Sequence, residues 1–272
     1  MSIGDRLLRG DRRQALLSIE QRAEFDQLGL VCVTDAYSAR DAKRMQDQIW
    51  AELKRRHGIK RDAPDTWTIA EPRHLSALSR SGAFAAIDSA TLREAIEDLI
   101  GTGWQWLGYP TVPLVTFPVT NAEWSVPSAG WHLDFPASSA VPLCALRLLA
   151  FVGQVMPGGG GTLVVGGSHR LVADLVTRNG RNKVWHSADI RAALASHAWL
   201  ADLTSKHDTS DRVARFMREG TVLDGVPVRV VELTGAAGDA FLVHPWILHA
   251  AAPNCNPTPR MMVSAGISST GT

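Results

Sequence analysis

The sequence changes in texture at Gly103, and this change constrains the fold more than any other feature. Beyond it, short apolar runs alternate with Pro and Gly, a pattern typical of strands in a β-sandwich or barrel. Seven or eight such strands predict a double-stranded β-helix, also called a jelly roll. The runs of strand length are residues 112–118, 130–134, 145–152, 162–165, 228–233, 240–243 and 260–267.

Helices are predicted before this point, flanking a mainly β body. In residues 18–25, a cap-like Ser18 is followed three positions later by Gln21, and apolar residues recur at helical spacing. Residues 38–57 and 91–100 show the same spacing and are each followed by Gly. Residues 30–34 read as a short buried strand between the first two helices.

A helical insertion is predicted at residues 171–225, where 187–203 and 208–219 have helical patterns. An insertion of this length in a β body favours a lid or a dimer surface, and we expect a lid. Its basic side chains could meet an acidic substrate or could simply be solvated. They are Arg181, Lys183, Arg212, Arg215 and Arg218.

Length and charge narrow the class of protein. A chain of 272 residues fits one domain, divided here into a helical support region (15–103), a β core (104–170 and 226–268) and the insertion (171–225). The formal net charge of +1 gives no overall field that would recruit nucleic acid or an anionic membrane. We therefore expect no nucleic-acid or membrane partner. The protein is expected to be a monomer or homodimer.

A cytoplasmic location is expected from the cysteines and from the start of the chain. Cys32, Cys144 and Cys255 are scattered and odd in number, so no disulfide framework is indicated. Residues 1–14 mix Arg and Asp without a continuous apolar core, unlike a signal peptide. No stretch approaches the roughly 20 apolar residues that a membrane-spanning helix requires.

Three separated side chains form a candidate metal site. In a strand, His132 and Asp134 would point to the same face, with Trp131 and Leu133 packed behind them. His249 ends the apolar run that opens at Gly238. Two imidazoles and one carboxylate form a facial triad, which suits Fe(II) because open coordination positions remain. His244 is the rival third ligand, but it immediately precedes Pro245.

Arg260 supports the interpretation of these three side chains as a metal site. It follows His249 by eleven positions, just past a loop rich in Pro and Asn. A guanidinium presents a planar fork of donors that matches a carboxylate. An Arg entering the same barrel could therefore hold the far end of a 2-oxo diacid.

With these segments the sequence resembles the phytanoyl-CoA dioxygenase-like branch of the Fe(II)/2-oxoglutarate-dependent oxygenases. The likeness runs from about Val31 to Ile267. Its best-matched pieces follow the family order: the Trp-His-x-Asp segment at 131–134, the glycine-rich segment 158–169, and the block from His244 through Asn254 to Arg260.

The resemblance implies a set of roles. His132, Asp134 and His249 would hold iron as the catalytic set, and Arg260 would bind the distal carboxylate of 2-oxoglutarate. Some members have a Ser two residues after the distal His, whereas this chain has Ala251, so we take Thr162 as a candidate helper.

The implied reaction uses O2 to convert 2-oxoglutarate to succinate and CO2 while a small molecule is hydroxylated. Asp134 favours hydroxylation, because related halogenases have a small residue at this position. Desaturation, epoxidation and ring formation use the same ligands and remain open. Trp124 is expected to line the substrate mouth, and Phe135, next to Asp134, is a second candidate for substrate contact.

Two other classes remain. A cupin-type enzyme or a zinc hydrolase could also use two His and a carboxylate. A non-catalytic metal- or ligand-binding protein could keep the same scaffold. Arg260 discriminates, since a zinc hydrolase does not need a buried Arg opposite its metal.

Overall fold

The computed structural model describes residues 15–107, 112–119, 122–138, 145–179, 183–206 and 211–269. Its helices are α1 (Ile19–Leu28), α2 (Ala39–His57), α3 (Ser76–Arg80), α4 (Ala90–Ile100), α5 (Ser168–Arg178), α6 (Ser187–Leu194) and α7 (Ala198–Leu203), with 3-10 turns at Pro64–Thr66 and Ala85–Ile87 and a π-helical segment at Ala214–Glu219. Its strands are β1 (Leu30–Val33), β2 (Trp104–Trp106), β3 (Val112–Thr116), β4 (Ala145–Phe151), β5 (Thr162–Gly166), β6 (Thr221–Leu223), β7 (Val226–Glu232), β8 (Ala240–Val243), β9 (His249–Ala251) and β10 (Arg260–Ser269).

The strands form two antiparallel sheets. The larger has the order β1-β8-β4-β10-β2, with β3 also paired to β10, and the smaller has the order β6-β7-β5-β9. Strand β10 organises the larger sheet, because it pairs with β4 along one edge and with β3 and β2 along the other. Non-consecutive neighbours in both sheets give the double-stranded β-helix expected from the sequence.

Three apolar clusters show how the sheets are covered. One face of β4, carrying Leu146 and Leu148, packs with the N-terminal helices around Met45 and Ile49. The smaller sheet packs one face against α5–α7 and the segment around Phe216. A third cluster lies between the two sheets. Helices thus cover the outer faces, and the space between the sheets is left for a site. The buried members of this third cluster are Leu30, Leu149, Phe151, Val155, Val164, Leu233, Val243, Ile247 and Met262.

Most predicted elements are confirmed within a few residues. The Ser18 hydroxyl accepts from the Gln21 N–H while Gln21 reaches back, a complete capping box, and α1 ends at Gly29 in the left-handed conformation. Three-residue strands β2, β6 and β9 were too short to stand out in the sequence. Predictions for residues 1–14, Cys144 and Arg181 concern positions outside the described residues.

Two helical predictions need correction. The helix expected at 187–203 is two helices, because the chain turns extended at His197 after Ser196 bonds back to the Ala193 carbonyl. The helix expected at 208–219 is π-helical over Ala214–Glu219, a form that periodicity at 3.6 residues does not reveal. None of the described helices is long and apolar enough to cross a membrane.

Gly238, in the turn before β8, offers a test of the packing. Its φ of 108° favours glycine, and a Cβ there would come 2.6 Å from the Tyr37 carbonyl oxygen. We expect Gly238→Ala to lower the free energy of unfolding by about 3 kcal/mol, from backbone strain and steric overlap together.

The matched control is Gly225→Ala, where φ is 77° and no atom lies within 4 Å of the added Cβ. Strain alone should then cost about 1 kcal/mol. Denaturant unfolding measures both values, and equal losses in the two variants would contradict the packing described at Gly238.

Candidate metal and cosubstrate site

His132, Asp134 and His249 come together at one end of the space between the sheets. Nε2 of His249 lies 3.2 Å from Oδ2 of Asp134, and Nε2 of His132 lies 3.6 Å from Oδ1. One ligand atom from each residue lies within 4.8 Å of those of the other two. Of the two rival histidines, the structure brings His249 into this set, whereas His244 packs elsewhere.

The segment that carries His132 and Asp134 is not a strand, which corrects the expectation for residues 130–134. Its pairing is a single antiparallel bridge in which His132 and His249 exchange backbone hydrogen bonds of 2.9 and 3.0 Å. The Leu133 N–H donates to the Ser187 hydroxyl, and Trp131 and Leu133 are buried as predicted. Strand β9 therefore positions one ligand directly and a second through this bridge.

Backbone carbonyls set the tautomers of both imidazoles. Nδ1 of His132 lies 2.7 Å from the Gly130 oxygen, and Nδ1 of His249 lies 3.1 Å from the Ile247 oxygen. Because a carbonyl oxygen only accepts, Nδ1 must carry the proton in each ring. Nε2 of each ring faces Asp134. It donates to the carboxylate when the imidazole is protonated, and in the neutral ring its lone pair can bind a metal, as in histidines that ligate through Nε2.

The charge on Asp134 is strongly favoured. Burial opposes ionisation, but hydrogen bonds from His132 and His249 and the charges of His249 and Arg147 outweigh it, so the pKa of Asp134 lies well below its usual range. The hydrogen bond with Asp134 in turn raises the pKa of His132. An ionised carboxylate and two imidazoles form a donor set that fits a divalent cation.

Arg260, the first residue of β10, is buried. Its Nη2 donates to the Thr116 hydroxyl at 2.7 Å, while Nε is buried without a hydrogen-bond partner in the described part of the chain. Desolvation lowers its pKa to about 10, although the charge of Glu71 opposes the shift. A buried guanidinium with free donors is a receptor for a carboxylate.

A cavity of about 530 Å³ joins these groups. It reaches the triad, Arg260 and Thr162, and apolar side chains such as Leu149 and Val164 line its walls. Thr162 in β5 pairs with Ala251 in β9. Its side chain therefore lies beside the position at which some members of the resembling family have Ser. The volume suits one small molecule together with a cosubstrate.

Residues 71–76 and β3 also line the cavity, and residues 71–76 contribute the polar side chains of Glu71, His74 and Ser76. Trp124 and Phe135, the expected substrate contacts, are not among the described lining residues. Trp124 packs with the apolar cluster under α5–α7, and the Phe135 ring lies beside Arg147. A role in substrate contact stays a prediction for both residues.

The insertion lies on the outer face of the smaller sheet. Its buried residues, such as Ile190 and Leu200, pack against that sheet. The Arg212 guanidinium donates to backbone carbonyls, including those of Val126 and Leu203, and thus fastens the insertion to the body. The described residues of 171–225 do not line the cavity. A role of the insertion as a lid stays a prediction.

His244 packs against the buried His169, with their ring centroids 4.7 Å apart. Desolvation lowers the pKa of His244 to about 3 and that of His169 to about 4. The folded protein therefore keeps both rings neutral, and the unfolded chain takes up protons first as the pH falls below about 6.5.

Linkage gives a measurable consequence. Between pH 7 and pH 5, the free energy of unfolding of the wild type should fall by about 2 kcal/mol more than that of His244→Gln, which keeps an acceptor for the Trp246 N–H but does not titrate. Denaturant unfolding of metal-free protein at both pH values gives the difference. If the free energy of unfolding changes equally with pH in the two proteins, His244 is not held neutral in the folded protein.

The glycine-rich segment at 158–161 forms a tight turn. The Glu232 carboxylate accepts hydrogen bonds from the N–H groups of Gly158 and Gly161. Gly160 has a φ of 80°, and a Cβ there would lie 2.9 Å from Asn254. The turn thus binds a carboxylate of the chain itself and joins the loop before Arg260.

Sequence reasoning missed two polar residues of the site. Thr116 ends β3 and touches Arg260, and nothing in its apolar run marks it. Arg147 contacts Asp134, and its signal was available: it is the one charged residue in the apolar run of β4. A charge within a buried strand indicates a partner inside the barrel.

Several solved structures are similar to this fold. The fold is similar to EctD from S. alaskensis with bound Fe (TM-score 0.57, 19% identity, 94% of this chain and 78% of that chain). It is also similar to HygX from Streptomyces hygroscopicus with nickel and 2-oxoglutarate (TM-score 0.53, 13% identity, 94% and 88%) and to the epimerase SnoN from nogalamycin biosynthesis (TM-score 0.52, 17% identity, 91% and 80%). A comparison with curated protein sequences gives no match.

A family model described as phytanoyl-CoA dioxygenase (PhyH) matches residues 25–262. This match includes α2, all strands from β1 to β9, the three residues of the triad and Arg260. The resemblance seen in the sequence is therefore confirmed, and the chain belongs to the phytanoyl-CoA dioxygenase family.

Proposed function

We propose that the protein is an Fe(II)- and 2-oxoglutarate-dependent dioxygenase that hydroxylates a small molecule. The observation that carries the proposal is Arg260, a buried guanidinium with an unpartnered Nε that borders the same cavity as the triad. Further support comes from the family and from HygX, whose structure holds nickel and 2-oxoglutarate. A zinc hydrolase gives no reason for such an Arg.

The residues divide into two binding groups. Nε2 of His132, Nε2 of His249 and the Asp134 carboxylate would hold the metal. Arg260, oriented by the Thr116 hydroxyl, would pair with the distal carboxylate of 2-oxoglutarate, and Thr162 remains a candidate for the same carboxylate. Bound there, Fe(II) and 2-oxoglutarate would supply the oxidising chemistry by which O2 converts 2-oxoglutarate to succinate and CO2 and hydroxylates the substrate.

The walls of the cavity serve this chemistry by excluding water. Leu149, Val164 and Ile247 are buried side chains that border it. Apolar walls strengthen the ion pair of Arg260 and limit side reactions of a bound oxidant. Substrate would enter between residues 71–76 and β3, which present the polar groups of Glu71, His74 and Ser76.

Hydroxylation is the outcome that Asp134 favours. In related halogenases a small residue replaces this carboxylate and leaves room for halide, whereas here Asp134 keeps it and contacts Arg147. The fold alone does not fix the outcome, since SnoN is an epimerase. The free thiols of Cys32 and Cys255 suit a reducing cytoplasm, where the protein would act as a monomer or homodimer.

The direct test is turnover of the cosubstrate. We expect purified protein with Fe(II), 2-oxoglutarate and O2 to form succinate, slowly without substrate and faster with a hydroxylated substrate. His249→Ala should abolish succinate formation, whereas His197→Gln, on the outer helices, should leave it unchanged. If the wild type and His249→Ala form equal amounts of succinate, the proposal is wrong.

A further inference from the structure

Arg147 is a cation inside the barrel to which the family motifs assign no role. It lies in β4 between Leu146 and Leu148, whose side chains are fully buried on the other face of the sheet. Its own side chain borders the cavity. Because β4 is an inner strand of the larger sheet, paired on both edges, Arg147 projects from one of the best-fixed parts of the chain.

Two donors of this guanidinium meet one oxygen of Asp134. Nε lies 2.6 Å from Oδ2, and Nη2 forms an ion pair with the same atom. The same oxygen lies 3.2 Å from His249 Nε2, whereas the other oxygen, Oδ1, lies 3.6 Å from His132 Nε2. The two oxygens of the carboxylate are thus in different environments.

The backbone beneath Asp134 explains why such a support is needed. The segment from Gly130 to Asp134 is attached to the sheet by one bridge, at His132, and Asp134 itself lies in a bend beyond it. No ladder of hydrogen bonds fixes this carboxylate from its own strand. The guanidinium plane is in turn flanked by the Phe135 ring, whose centroid is 5.7 Å from the Arg147 Cζ atom.

We infer that Arg147 is a positioning residue of the metal centre, which holds the Asp134 carboxylate through Oδ2 in the orientation that faces His132 and His249. The inference rests on the proposed function for its metal and goes beyond it in assigning Arg147 and Phe135. A ligand fixed from outside in this way binds more tightly, and loss of such a support typically lowers metal affinity by about 10- to 100-fold. The Phe135 ring would then support Arg147 instead of a substrate.

The test uses Co(II) as the probe, because its visible d–d bands report the number and geometry of its ligands. We expect Arg147→Gln to weaken Co(II) binding to the metal-free protein by about 10- to 100-fold and to change the d–d spectrum. Arg147→Lys keeps the charge but loses the fork, so it should restore part of the affinity. Arg44→Gln is the matched control, since Arg44 pairs with Asp41 at 2.7 Å on the exposed face of α2.

A double-variant cycle separates positioning from general stability. In an Asp134→Ala background, Arg147→Gln should cause no further loss of Co(II) affinity, because the group that it positions is gone. The same additional loss in both backgrounds would overturn the inference. So would a wild-type affinity and spectrum in Arg147→Gln.

Failure of the proposed function has a different signature. If the wild type binds Co(II) but not 2-oxoglutarate, the oxygenase proposal fails, while the comparison of Arg147 variants still decides the role of Arg147. If the wild type binds no Co(II), both fail together. Equal Co(II) binding by wild type and Arg147→Gln, with 2-oxoglutarate bound normally, would overturn the inference about Arg147 alone.

Discussion

Asp134→Ala is expected to lose metal binding and cosubstrate turnover together. Supporting groups around a metal ligand are typically worth 10- to 100-fold in affinity, so removal of a charged ligand should weaken Fe(II) or Co(II) binding by at least about 100-fold. The loss has a second cause. Without the carboxylate, the imidazoles of His132 and His249 and the guanidinium of Arg147 would face a metal cation with no negative charge between them.

Metal titration under anaerobic conditions measures the affinity, and succinate release measures turnover. Asp41→Ala is the matched control, because this carboxylate also pairs with an Arg but lies on α2, outside the cavity. It should bind metal like the wild type. Retention of wild-type metal affinity in Asp134→Ala would contradict the role of Asp134 as a ligand.

Arg260→Met is expected to weaken 2-oxoglutarate binding while leaving metal affinity unchanged. Truncation of one partner of a buried charge pair costs about 2–5 kcal/mol, which corresponds to roughly 30-fold or more in Kd. Isothermal titration of the metal-loaded protein with 2-oxoglutarate measures this loss. Arg44→Met, on the exposed face of α2, provides the control.

The stability of the same variant distinguishes a receptor from a structural ion pair. Among the described residues, Arg260 has a hydroxyl partner in Thr116 and no carboxylate at ion-pair distance. A buried charge of this kind costs folding free energy, so Met should leave the protein as stable or make it more stable. A large loss of stability with unchanged 2-oxoglutarate binding would indicate a structural Arg.

Much of this account was available from the sequence, for identifiable reasons. The triad and Arg260 could be predicted because the chemistry needs these residue types in this order. Long strands such as β4 and β10 were visible as apolar runs between turn residues. Three-residue strands such as β9, which carries His249, depend on pairing partners and leave no periodic signal.

The missed features all depend on tertiary contacts. The segment at 130–134 has the alternation of a strand, yet a single bridge to His249 is the pairing that it makes. Arg147 and residues 71–76 reach the cavity only because separate parts of the chain converge there. Thr116 meets Arg260 through the pairing of β3 with β10. Trp124 faces the other apolar cluster for the same reason.

The most direct test of the central claim is the visible absorption of anaerobic protein titrated with Fe(II) and then 2-oxoglutarate. A 2-oxo acid chelated to Fe(II) gives a weak charge-transfer band, which we predict for the wild type. The band should be lost in His132→Ala, and in Arg260→Met it should require far more 2-oxoglutarate. If the wild type shows no band and binds Zn(II) tightly instead, the site is not that of an Fe(II)/2-oxoglutarate oxygenase.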